Sequence, residues 1–161
     1  MLGHPGSPVT IGSWGCLLTC FAMTAGALGH QITPFELNRQ MIRKGGFWQG
    51  HFTEWDALAS VYSDLAFEGK EDQHPHITTR IDAHLANRVP VPVLVDRTPE
   101  TRYNDNDQHW VLVVARHDIN DYWVYDPLDL EGDPVSLMGR YGRSDSSVRN
   151  AIRSAIFYRR A

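Results

Sequence analysis

Residues 11–23 read IGSWGCLLTCFAM, and this stretch organises the rest of the chain. Gly12 and Gly15 interrupt the backbone, Cys16 follows at once, and apolar residues then recur at helical spacing. The pattern predicts a helix from about Gly15 to Ala27 whose first turn carries the cysteine. The amino end of a helix has unpaired N–H groups and a positive dipole end, which can stabilise a thiolate or an oxyanion. The stretch alone is equally compatible with a buried structural thiol.

Composition places the chain among ordinary globular proteins, with 161 residues, 42% hydrophobic and 21% charged. We expect a single domain over residues 1–161, with the Gly- and Pro-rich residues 1–10 as a lead-in. The formal net charge is −4, and no basic run precedes Arg159 and Arg160. This balance argues against broad electrostatic binding to nucleic acid or to anionic membranes.

The sequence predicts neither a membrane span nor a secretion signal. No apolar run approaches the ~20 residues of a span, and the N-terminus lacks the basic and apolar regions of a signal peptide. We therefore expect synthesis in the cytoplasm, with the site of action open and the cell wall or extracellular space included.

The cysteines and histidines give no sign of a disulfide framework or a metal centre. Cys16 and Cys20 lie four residues apart on the predicted helix, where an unstrained bridge is not expected, so we predict reduced thiols. His74 and His76 flank a proline in a polar segment without a nearby cysteine, so we predict solvated side chains. No metal and no cofactor is expected.

The order of the predicted elements indicates an α+β fold. Thr33, Pro34 and Glu36 are typical of a capped helix start, and Gly45 and Gly46 end that helix. We also predict helices at 53–62, 78–87 and 146–153, strands at 91–95, 110–116, 122–125 and 155–158, and polar loops at 68–76 and 98–107. The expected architecture is a set of N-terminal helices packed on a C-terminal antiparallel β-sheet.

A predicted hairpin supplies the groups that a cysteine nucleophile needs. His109 precedes one strand, Asp126 follows the next, and a short turn at about residues 118–121 joins them. Folding the hairpin brings those two strand ends side by side. Asp126 can then orient the imidazole of His109 while the other ring nitrogen faces Cys16. The plainer alternatives are a strand-end histidine and an Asp-Pro turn.

Three blocks of the sequence resemble the signature blocks of one peptidase family. They are GSWGCLLT at 12–19, QHWVLV at 108–113 and YDP at 125–127. Together they resemble papain-like cysteine peptidases of the bacteriocin-processing (double-glycine) type, family thirty-nine of the cysteine peptidases, and their stand-alone relatives. The stretch at 32–38 and the Gly-Gly-Phe at 45–47 are similar to the second helix of the stand-alone relatives. The resemblance covers most of the chain from about residue 10 onward.

This resemblance implies a catalytic triad and an acyl-enzyme mechanism. It makes Cys16 the nucleophile, His109 the general base and acid, and Asp126 the orienting residue. The candidate oxyanion- or substrate-binding residues are Ser13, Trp14, Gly15 and Gln108. Trp14, next to the nucleophile, is the candidate for a substrate groove.

One expected residue is missing. Family members place a glutamine several residues before the nucleophile, where its amide helps to form the oxyanion hole, but residues 7–14 contain none. Either a preceding segment is absent, or Thr10, Ser13 or a backbone N–H substitutes, or the site is impaired. Losing one oxyanion donor costs on the order of 10²–10³ in rate.

The sequence therefore leads to one functional hypothesis with two alternatives. The leading hypothesis is a cysteine peptidase that hydrolyses peptide bonds, in glycine-containing peptides or in the cell-wall (peptidoglycan) peptides that a bacterial or phage lysin cleaves. The first alternative is a catalytically silent module of the same fold that binds peptide or cell-wall material within a larger assembly. The second retains the triad but transfers the acyl group to an amine. The attribution to cell-wall substrates rests on analogy alone.

Overall fold

The computed structural model describes residues 1–99, 107–129, 131–143 and 146–161. The helix predicted from about Gly15 to Ala27 forms as α2 (Cys16–Ala27), and a short helix α1 (Ile11–Trp14), which the sequence did not predict, precedes it. Gly15 lies between them, and a Cβ atom at this position would sit 2.3 Å from the carbonyl oxygen of Ile11. No residue with a side chain fits this junction, so glycine sets the direction in which α2 begins.

The second helix confirms the capping signal in the sequence. Helix α3 spans Pro34–Lys44, with Thr33 as its N-cap and Glu36 completing the capping box. Gly45 ends it in the left-handed conformation, at φ 76°. This agreement follows from local chemistry, because each of these residues acts within one turn of its own position.

The described residues form one antiparallel sheet of six strands and a small separate ribbon. The strand order of the sheet is β3-β8-β4-β5-β6-β7, and the ribbon pairs β1 with β2. The strands are β1 (Phe47–Trp48), β2 (Phe52–Thr53), β3 (Leu65–Asp72), β4 (Val91–Asp96), β5 (Gln108–Asp118), β6 (Asp121–Tyr125), β7 (Val135–Ser136) and β8 (Ser154–Arg160). The β5–β6 pair is the hairpin that the sequence predicts.

Helices cover both faces of this sheet. Helix α2 packs with α3 and with α4 (Ala57–Val61) on one face, around Phe21, Leu112 and Tyr158. The other face is covered by α5 (Ile77–Ala86), α6 (Leu137–Tyr141) and α7 (Val148–Ala151). The α+β class is as predicted, but the helices do not all precede the sheet.

Two predicted segments differ from the structure. Residues 68–76 were expected as a polar loop, but Leu65–Asp72 form an edge strand that pairs with β8. Its polar side chains suit a sheet edge, and a bulge with Gly69 at φ 125° breaks the alternation. The helix expected at 53–62 shortens to α4, because Phe52 and Thr53 pair with β1. Most of the loop predicted at 98–107 lies outside the described residues.

The N-terminal segment packs against the helical side of the fold. Leu2 is buried, the Gly3 amide donates to the Asn38 side chain at 2.7 Å, and the His4 amide donates to the Gly50 carbonyl at 2.8 Å. No helix in the described parts of the chain is long and apolar enough to cross a membrane.

Candidate active site

Cys16 is the first residue of α2 and is half-buried. The amides of the first helical turn have no acceptor within the helix, and Cys16 supplies one of them. The thiol therefore lies where the helix carries its positive dipole end and its free N–H groups. This is the local environment in which a thiolate or an oxyanion is stabilised.

His109 and Asp126 form a buried pair at the end of the β5–β6 hairpin. His109 is the second residue of β5, and Asp126 directly follows β6. The ring Nε2 of His109 and Oδ1 of Asp126 lie 2.8 Å apart, and the two side chains are only 4% and 1% exposed. The second ring nitrogen, Nδ1, is thus the one left for another partner.

Cys16 and Asp126 both interact with this imidazole. Burial of the ring opposes its protonation, but hydrogen bonds and charge interactions with Asp126 and Cys16 prevail and raise the pKa of His109 to about 9. An imidazolium between a carboxylate and a sulfur is the arrangement that an ion-paired cysteine nucleophile requires.

Asp126 is held by more partners than the histidine alone. Its Oδ1 also accepts the Leu128 amide at 2.9 Å, while Oδ2 accepts Arg140 Nη1 at 2.9 Å and the Tyr141 hydroxyl. Burial would raise the pKa of this carboxyl, but the hydrogen bonds from His109 and Tyr141, followed by those from Leu128 and Arg140, hold it well below its usual range. The carboxylate therefore stays ionised.

Cys20 has a different environment, although it lies on the same helix. It is fully buried in the core beneath Cys16. Burial, reinforced by the nearby Cys16, raises the pKa of the Cys20 thiol well above its ordinary value. Cys20 thus has the character of a core residue, and it provides an internal control for the reactivity of Cys16.

The hydroxyl groups upstream of the cysteine are already engaged. The Thr10 side chain accepts the Ser13 amide at 3.1 Å, and the Ser13 hydroxyl accepts the Thr10 amide at 3.0 Å. The two hydroxyl oxygens also lie 3.0 Å apart. Both side chains therefore serve as the cap of α1.

The remaining predicted substrate contacts lie around the nucleophile. Gly15 is buried at the α1–α2 junction, and Trp14 is 57% exposed at the end of α1. Gln108 is exposed at the start of β5, next to His109 and opposite Asp96 of β4.

A group of aromatic rings extends from Trp14 and is here called the aromatic surface; its members are the exposed Trp14, Trp48 and Phe52 and the half-buried His51. The Trp14 ring lies 6.1 Å from Phe52 and 6.4 Å from His51, and Trp48 lies 5.6 Å from Phe52. Trp48 is 57% exposed and Phe52 39%. Apolar rings grouped at the surface are typical of a binding site. The aromatic content of residues 47–52 is the signal in the sequence that could have indicated it.

Arg140 and Tyr141 are functional candidates that the sequence did not reveal. Both belong to the five-residue helix α6, whose sequence LMGRY is too short to show a helical periodicity. Only the tertiary fold brings them to Asp126. As for metals, no group of three or more His, Cys, Asp or Glu side chains within the described ranges could hold an ion.

Comparison with known proteins identifies the fold. No protein-family model and no curated protein sequence matches the chain. Among solved structures, it is similar to the crystal structure of a Bacillus anthracis protein provisionally described as a C39-like peptidase, with a TM-score of 0.60 and 13% sequence identity. The match covers 92% of this chain and 91% of that one. The chain therefore has the α+β, papain-like fold that the sequence predicts, similar to that of a C39-like peptidase.

Proposed function

We propose that this protein is a cysteine peptidase that hydrolyses peptide bonds through Cys16, His109 and Asp126. The observation that carries the proposal is the buried His109–Asp126 pair, whose imidazole interacts with a half-buried cysteine at a helix N-terminus. The similarity to a C39-like peptidase fold supports the same conclusion. We further propose that residues 1–161 form one catalytic domain.

The proposed mechanism follows from the roles of the three side chains, Cys16, His109 and Asp126. The Cys16 thiolate attacks the peptide carbonyl and forms a tetrahedral oxyanion, which the Cys16 N–H stabilises. The His109 imidazolium then donates its proton to the leaving amine, and the carbon–nitrogen bond breaks to give a thioester. Neutral His109 next takes a proton from water, the hydroxide attacks the thioester, and the thiolate leaves. Asp126 holds the ring in position throughout.

The missing glutamine bears on the rate of this reaction. Gln108, exposed at the start of β5 beside His109, is our candidate for a side-chain donor that assists the Cys16 N–H. The absence of an upstream glutamine also favours the second candidate function, a silent module that binds peptide or cell-wall material. The two functions differ in whether the thiol of Cys16 is activated by His109.

We propose that the substrate is a peptide, either glycine-containing or derived from the cell wall, that contacts the aromatic surface. Trp14 is the last residue of α1 and is separated from Cys16 by Gly15 alone. A peptide bound at Cys16 with an apolar side chain beside the scissile bond can cover these exposed rings.

Selective alkylation tests the proposed nucleophile. We expect iodoacetamide at pH 6–7 to label Cys16 much faster than Cys20, because His109 assists the first thiol and burial protects the second. His109→Ala should slow the labelling of Cys16 by about tenfold or more. Peptide mass spectrometry of the two cysteines gives both rates in one sample. Equal rates for the two thiols, or no response to the mutation, would favour the silent module.

A second prediction concerns the aromatic surface. Trp48→Ala should slow inactivation by a peptidyl chloromethyl ketone with glycine next to the reactive group and phenylalanine before it, by about tenfold. The reaction of Cys16 with iodoacetamide should not change, because this small reagent has no peptide side chain that would contact Trp48. Phe35→Ala is the matched control, since Phe35 is 62% exposed on α3. An unchanged chloromethyl ketone rate would exclude Trp48 from the substrate site.

A further inference from the structure

The carboxylate of Asp126 is shared between two cationic partners. Oδ1 accepts a hydrogen bond from Nε2 of His109 at 2.8 Å, and Oδ2 accepts one from Nη1 of Arg140 at 2.9 Å. The Leu128 amide and the Tyr141 hydroxyl take the remaining acceptor positions. A carboxylate offers about four such positions, so this group is saturated. One of its partners, the histidine, can gain and lose a proton, whereas the other, the arginine, keeps its charge throughout.

Arg140 is fixed in place by a second carboxylate. Its Nη2 lies 3.1 Å from Oδ2 of Asp129, so the guanidinium spans two acidic residues. Helix α6, which carries it, is capped by the Ser136 hydroxyl and anchored by the Met138 amide, which donates to Asp121 at 2.8 Å. The guanidinium is thus a permanent charge at a defined position, with 40% of its side chain exposed.

We propose that Arg140 is a positioning residue that limits the proton affinity of His109 by partly neutralising Asp126, and so sets the pH range of the site. This inference rests on the proposed function. The imidazole must donate a proton when the thioester forms and accept one when water attacks it. In the thioester the sulfur carries no charge, so Asp126 and Arg140 become the charged groups that control the ring. Without Arg140, Asp126 would hold the proton more tightly and delay the second step.

The other ionisable groups near this pair do not change in the proposed test. The elements packed around His109 contribute Cys16 and Cys20 from α2, Asp126 after β6, Tyr141 from α6, Asp96 from β4 and Asp107 before β5. Asp96 and Asp107 form a separate group, in which both accept the Thr98 amide. A variant at Arg140 therefore removes one charge, which pairs with Asp126 and with Asp129, while the other groups stay the same in every variant.

The test follows the titration of the His109 ring by NMR. Cys16→Ala provides the background, because it lacks the thiolate as the thioester does. In this background Arg140→Gln should raise the pKa of His109 by about 0.5–1 unit at low salt. Arg140→Lys retains the charge and should restore most of the original value. The shift should shrink in high salt, since the guanidinium is partly exposed. Arg149→Gln, an exposed arginine on α7, removes the same charge elsewhere and should leave the titration unchanged.

The outcomes separate this inference from the proposed function. If the pKa of His109 in the Arg140→Gln variant equals that of the parent or is lower, Arg140 does not limit the proton affinity of His109. If Arg140→Gln does not fold, Tyr141→Phe removes a neutral donor from the same oxygen and must also raise the pKa of His109. The NMR measurement needs no turnover, so an upward shift of the His109 pKa supports the Arg140 inference even if no peptide is cleaved. The absence of cleavage would contradict only the proposed peptidase function.

Discussion

Replacing Cys16 by alanine is expected to reduce peptide hydrolysis by about 10⁴-fold or more, because the residue would supply the attacking atom. The substrates for this measurement are a mixture of glycine-containing peptides and peptidoglycan stem peptides, with products read by mass spectrometry. The same variant should still bind any peptide that the parent cleaves, since the aromatic surface is unaltered.

The matched control is Cys20→Ala. Cys20 is fully buried one turn along α2. Its replacement therefore measures the effect of a cysteine-to-alanine change on the helix without removing the proposed nucleophile. We expect hydrolysis close to that of the parent below the melting temperature. Residual activity in Cys16→Ala equal to that of the parent would contradict the proposed nucleophile. A parent protein that binds these peptides without cleaving them would be a silent module.

An added primary amine distinguishes hydrolysis from acyl transfer in the same assay. Both reactions pass through a thioester on Cys16, and they differ only in the group that attacks it. With glycine ethyl ester present, a hydrolase gives chiefly the free carboxylate, because water is in large excess. Products that carry the amine as the main species would identify a transferase with the same triad.

Local sequence signals were sufficient for the start of α3 and for the hairpin. The α3 cap depends on Thr33 and Glu36, which contact each other within one turn. The placement of His109 beside Asp126 depends on two adjacent strands and a short turn, so strand length and order alone predict it. These parts of the fold could be predicted because their geometry is set by neighbours in sequence.

The remaining parts depend on contacts between residues that are distant in sequence. Strand β3 has a polar, interrupted sequence, and it becomes a strand only because β8, about 90 residues later, offers an edge to pair with. Arg140 and Tyr141 reach Asp126 through the path of the chain after β6, which no local pattern specifies. The aromatic surface likewise requires the β1–β2 ribbon to lie against α1. Sequence analysis therefore identified the triad candidates but not the groups that surround them.

Asp126→Ala is expected to cost about 3–5 kcal/mol in the free energy of unfolding, because it leaves buried partners of the carboxylate without their acceptor. The side chain is 1% exposed and accepts hydrogen bonds from His109, Leu128, Arg140 and Tyr141. Asp129→Ala is the control, because Asp129 pairs with the same arginine from a more exposed position and should cost under about 1 kcal/mol. Urea unfolding at pH 6 measures both variants.

The difference in the free energy of unfolding between the parent and Asp126→Ala should depend on pH, and this dependence gives the sharper test. The pKa of Asp126 is lower in the folded protein than its ordinary value of 3.8, so its contribution is present above about pH 4 and declines as the pH falls further. The pKa of His109 is raised from 6.5 to about 9, so its contribution is complete below pH 6.5 and is lost as the pH rises to 9. Asp126→Ala removes the first contribution, together with the part of the second that comes from Asp126 rather than from Cys16. The stability gap between parent and variant should therefore be widest between about pH 4 and 6.5 and should narrow on either side. A gap that is constant from pH 3 to 9 would mean that Asp126 and His109 do not form a charged pair in the folded protein.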